Sequence, residues 1–237
     1  MPFPPIHTDL DDGAFVERRP TERRIFSSRG QLISPPTEPV RLERVVGPSL
    51  CVESGQLVVG DAMDGIQTGD VLSRSVPCGE FASETTEHDC PLFGRVVAMF
   101  VLRFTEDQPS RWHPVRVGDY RWWRRLLPGG TGYLQFGVDF GMAGIADASV
   151  PRALRRMMHM GDSVLERVSQ QFEKGGRTVL RPEVPELPKD QLLVCASGGG
   201  DGVYTGHWGL NRTGQLACLM LDFRAIAFPG SMEFAAR

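Results

Sequence analysis

The run Ser197-Gly-Gly-Gly-Asp-Gly-Val-Tyr204 is the stretch of this chain best equipped for chemistry. Four glycines around one aspartate free the backbone to take positive φ and to approach another group closely. Exposed amides in such a loop can cradle an anion, and Asp201 can serve as acid, base or ligand. Gly198, Gly199 and Gly200, with Tyr204, His207 and Trp208 just beyond, are therefore candidate ligand contacts. Turn chemistry explains the same residues, since glycine makes tight bends and aspartate bonds its own loop. The Gly-Lys-Ser/Thr ending of a phosphate loop is missing. The segment also runs from strand to strand, so neither nucleotide fingerprint applies.

A second cluster is Gly137-Val-Asp-Phe-Gly-Met-Ala-Gly-Ile-Ala-Asp147. Asp139 ends a strand and Asp147 lies just before a helix. If Asp139, Asp147 and Asp201 converge, they can hold a divalent cation, share a proton or do acid/base work on a polar or anionic substrate. The plainer reading is that Asp147 stabilises the helix start through its exposed amides.

Between Arg111 and Arg125, five arginines interleave with three tryptophans. Arg111 and Trp112 join the candidate ligand contacts on that basis. The formal charge of −3 argues against nucleic acid as the target. A small-molecule ligand or a protein partner fits better, and oligomeric state is not legible. Cys78, His88 and Cys90 have irregular zinc spacing and lack a fourth ligand, so no metal and no cofactor is expected. No Gly-x-Ser-x-Gly elbow supports a hydrolase.

These residues need elements to hold them. Strand signals cover Leu50–Val52, Gln56–Gly60, Leu92–Phe104, Tyr133–Phe140, Gln191–Ser197, Gly202–Trp208 and Leu216–Phe223. The turn Asn211-Arg-Thr-Gly214 predicts a hairpin between the last two. Apolar residues at helical spacing, from Leu154 to Phe172, predict one long amphipathic helix over about 150–173. The fold class expected is α+β, mainly an antiparallel, sandwich-like sheet. Residues 1–48, rich in Pro, Arg and Glu, read as an arm, and 49–237 as a single domain.

The chain has 237 residues, enough to bury a core without disulfides. Its five cysteines form no Cys-x-x-Cys pair, and the opening does not read as a secretory signal. The longest apolar run, Val96–Leu102, is too short to span a bilayer in a helix. A soluble, cytoplasmic protein is the expectation, with no membrane partner.

Several segments resemble one known family. They are Ser54-Gly-Gln-Leu-Val-Val-Gly-Asp61, Val76-Pro-Cys-Gly79, Arg95-Val-Val-Ala98, Gly137–Gly141 with Asp147, Ser197–Tyr204, and Leu221-Asp-Phe223, in that order. Over roughly residues 50–225 the chain is similar to the family filed as domain of unknown function 4241. The resemblance implies a bacterial soluble domain and places Asp61, Asp139, Asp147, Asp201 and Asp222 on matching motif positions. The chain departs from the pattern after Trp112, where His113-Pro114 stands in place of an acidic residue. Two functions from different classes follow as expectations. One is a small-molecule binder or acid/base enzyme at the glycine loop; the other is a protein-binding module such as an immunity protein.

Overall fold

The computed structural model describes residues 16–17, 41–62, 65–68, 71–90, 94–117, 133–139, 141–159, 164–175, 178–198, 200–223 and 225–227. The larger sheet has seven antiparallel strands. Along it run β2 (Glu43–Val46), β6 (Ser83–Cys90), β7 (Gly94–Arg103), β14 (Leu216–Asp222), β13 (Gly202–Leu210) and β8 (Arg111–Pro114). The seventh strand, β9 (Gln135–Val138), pairs with the other half of β13. A smaller sheet orders β11 (Val179–Leu180), β12 (Leu192–Ala196), β10 (Met142–Asp147) and β4 (Leu57–Asp61). Two short ladders complete the strands: β3 (Leu50–Val52) with β5 (Gly79–Phe81), and β1 (Val16–Glu17) with β15 (Ile226–Ala227).

The two large sheets face each other across one core. Phe100, Leu102, Leu219, Leu221 and Trp208 from one meet Val59, Ile145, Leu193 and Cys195 from the other. The smaller sheet is buried on its second face as well. There Val58, Ala146, Leu192 and Val194 lie under Ile66, Leu154, Met157 and Val168. A strand covered on both faces reads as an unbroken apolar run, as Leu192-Leu-Val-Cys195 does. Ile66 belongs to the short helix α1 (Gly65–Thr68), which sits tightly because β10 carries Gly144 beneath it. A Cβ on Gly144 would come within 2.5 Å of Ile66 Cγ1.

The molecule is mostly antiparallel β with few helices, and over the stretch expected to form one long helix two helices are described. These are α2 (Val150–His159) and α3 (Val164–Gly175), with residues 160–163 outside the described residues. Residues 1–15 and 18–40 of the expected arm lie outside the described residues, while its β2 forms one edge of the large sheet. Among the described residues no helix is long and apolar enough to cross a membrane. None of the five cysteines is in a disulfide.

Candidate functional site

The glycine loop joins β12 to β13 and is tied down from below. Ser197 N–H donates to the Gly141 carbonyl (3.0 Å) and Gly200 N–H to the Ser197 carbonyl (2.7 Å). The buried Tyr204 hydroxyl donates to the Gly200 carbonyl at 2.6 Å and lies 3.2 Å from that of Ser197. The Tyr204 ring stacks edge-on against Phe223 with centroids 5.2 Å apart, so the hydroxyl is held by packing. Gly198 sits at φ +46, and a Cβ there would meet the Phe223 carbonyl oxygen at 2.6 Å. That position needs glycine on two counts. Gly199 lies outside the described residues.

Two of the three expected acids lie beside one ladder rung at this pole. Val138 pairs with Gly202 at the last rung between β9 and β13. Asp139 follows Val138 and Asp201 precedes Gly202, so the two carboxylates flank one rung, and both are exposed. Behind them, buried Asp61 at the end of β4 accepts the Asp139 N–H on Oδ2 at 2.9 Å. Three strand ends from distant parts of the chain thus deliver three carboxylates to one end of the sandwich.

Asp147 is elsewhere. It closes the opposite end of β10, five residues from Met142, which at strand rise is about 17 Å. Oδ2 of Asp147 accepts the N–H groups of Glu53 (2.9 Å) and Ser54 (2.8 Å) and the Ser54 hydroxyl (2.8 Å); Oδ1 accepts Ser149 N–H at 2.8 Å. Burial alone would raise its pKa, but the donated bonds from Ser54 and Ser149 outweigh it and hold the carboxyl below the usual range. Asp147 clamps a turn and a helix start.

The remaining expected contacts spread along β13 and past it. Trp208 is buried in the core beside Phe104, with centroids 6.4 Å apart. His207 is buried, which lowers its pKa, while Asp222 pulls the other way. Arg111 and half-buried Trp112 pair with Leu210 and Gly209, about 25 Å along β13 from Gly202. They share no site with the glycine loop. Of the Arg/Trp segment, residues 118–132 lie outside the described residues.

Sequence reading missed the buried acid Glu87. It receives the hydroxyls of Thr85 and Thr178 and, at 2.8 Å, Nε of Arg95, which also meets Glu43. The hydrogen bonds that Arg95 donates to Glu87 and Glu43 raise its pKa. Thr178 lies just before β11, so this network stitches the two sheets. The available signal was a polar run, Ser83–Asp89, beside an apolar one, since buried polar groups need partners. Among the described residues, no three His, Cys, Asp or Glu side chains are gathered to hold a metal ion.

A family model described as "Protein of unknown function (DUF4241)" matches residues 50–221. No curated protein and no solved structure matches the chain.

Proposed function

The chain belongs to the DUF4241 family of proteins of unknown function, and from that premise we propose that its glycine-loop pole binds a small polar ligand carrying an organic cation. The observation that carries this reading is the exposed pair Asp139 and Asp201 flanking one rung, backed by the Asp61 carboxylate. Carboxylates gathered at one pole repel an anionic group and each other, and a cation relieves that repulsion. An amine or guanidinium suits two carboxylates that accept several N–H donors. In this reading Asp139 and Asp201 contact the ligand, Asp61 positions Asp139, and the Tyr204-anchored loop fixes Asp201. Asp201 is then also the residue placed to accept a proton from a bound polar substrate, which is the enzymatic form of the same proposal.

The test is calorimetric titration of the full chain with putrescine and agmatine at low salt. Binding should weaken about tenfold in Asp201→Asn and in Asp139→Asn, the loss expected for one charged contact, with the melting temperature unchanged. No heat with either amine, or binding by both variants as tight as the parent's, sinks the reading.

A protein-binding role, as in an immunity protein, is the second reading. It is favoured by Val203, half exposed two residues along β13 from Asp201 and so on the same face of the sheet. A Val203→Asp variant that keeps amine binding but loses a stable protein partner would favour it.

A further inference from the structure

The face of α2 opposite its packed side carries Arg152, Arg155 and Arg156, all exposed. The orientation is fixed by the core beneath, where Val150, Leu154 and Met157 pack over the smaller sheet. The three lie at i, i+3 and i+4, which are neighbours on one helix surface. The helix Val150–His159 contains no acidic residue. Arg155 donates to the Gln67 carbonyl of α1 at 2.6 Å, and Arg156 Nε lies 3.4 Å from the Arg152 carbonyl. Among the described residues, none of the three guanidinium groups meets a carboxylate.

The contrast with other arginines is informative. Arg95 pairs with Glu87, Arg103 with Glu84, Arg167 with Glu186 and Arg181 with Asp190. On α2, three like charges are instead crowded within two turns, and neighbouring like charges on a helix are destabilising. Arg152 also stands in the first turn of the helix, where the backbone dipole disfavours a cation. Among the described residues the row contributes one bond, from Arg155 to α1, whereas a partner bearing carboxylates would remove both penalties.

We propose that the Arg152/Arg155/Arg156 face of α2 docks an acidic segment of a partner protein, independently of the glycine-loop site. Guanidinium forks match paired carboxylates bidentately, and arginine is enriched at interface hot spots. A polyphosphate is the weaker match, because the chain as a whole is negative, at −3, and repels a polyanion beyond the patch. The rigid seating of α2 means that little order is lost on docking.

Fluorescence anisotropy with a labelled oligoglutamate peptide at low salt tests the proposal. The full chain should bind it, and Arg152→Gln/Arg156→Gln should weaken binding about tenfold without shifting the melting temperature. Arg152→Lys/Arg156→Lys should lose about threefold, since it keeps charge but not the fork. Arg111→Gln/Arg116→Gln, remote arginines outside α2, should bind as the parent does. The proposal is overturned if the peptide does not bind, or if the α2 glutamine variant binds it as the parent does. It is equally overturned if the lysine variant loses nothing, or if the remote variant loses as much as the α2 variant. Tighter capture of a labelled oligonucleotide by the same arginines, or self-association abolished by the same substitutions, would also overturn it.

Discussion

Ser54 and Asp147, 93 positions apart in the chain, meet twice: the Ser54 amide and its hydroxyl both donate to Oδ2 of Asp147 at 2.8 Å. The contact locks the turn after β3 to the junction of β10 and α2. Asp147→Asn replaces an acceptor by a donor facing other donors. It should destabilise the fold by about 3 kcal/mol, against about 1 kcal/mol for Ser54→Ala. Urea unfolding checks both values. Losses under about 0.5 kcal/mol, the level of a neutral surface change, would show that the clamp is idle.

Asp147 also sets an acid limit. Its folded-state pKa is depressed, so its stabilisation is complete above the ordinary value of about 3.9 and fades as pH falls through the lower folded value. Melting temperature should therefore drop more steeply below about pH 4 in the parent than in Asp147→Asn. Parallel slopes would show that the bonds to Ser54 and Ser149 do not bias the proton.

His207 acts nearer neutrality. Burial lowers its folded pKa, so the neutral ring is favoured and stability is complete above about pH 6.5, then lost as pH falls from there towards the lower folded value. His207→Gln should flatten the melting profile between about pH 7 and pH 5. Asp222→Asn, which removes the opposing pull, should steepen it. An imidazole titrating at its ordinary value by NMR would refute this account.

The glycine loop should respond unequally to small changes. Tyr204→Phe strips the hydroxyl from the Gly200 carbonyl and should cost about 1 kcal/mol or slightly more. Gly198→Ala should cost more than the about 1–2 kcal/mol of left-handed strain, because the added methyl also strikes the Phe223 carbonyl. Gly214→Ala, at φ +84 with open space around it, carries strain alone. Thermal melts of the three variants rank them. Equal costs at Gly198 and Gly214 would remove the steric part of the explanation.

Legibility followed burial chemistry. The apolar strands β4, β7, β12 and β14 lie where alternation and apolar runs place them, and Asn211 closes the β13–β14 hairpin. Its Oδ1 accepts the N–H groups of Thr213 and Gln215. β6 escaped because its buried residues Thr85, Glu87 and His88 are polar, and their partners come from elsewhere in the chain. β10 escaped because Met-Ala-Gly-Ile-Ala-Asp looks like a flexible glycine tract; its small residues make room for α1. The residue types of the acidic pole were legible. Its membership was not, since Asp139 reaches Asp201 only through the pairing of β9 with β13, which one sequence does not encode locally.

The four-rung match of β9 to β13, Gln135↔Thr205 through Val138↔Gly202, has a further consequence for how this protein tolerates change. Side chains alternate faces, so inserting or deleting one residue within Gln135–Val138 would invert the whole strand. Val138 would turn to water and the Asp139 carboxylate inward, towards the apolar interior. The distal turn at Arg212–Gly214 can lengthen without touching the acidic rim, whereas a frameshift of a single position in β9 dismantles it. Length variation among natural versions of this domain should therefore collect at the far turns and spare these four residues.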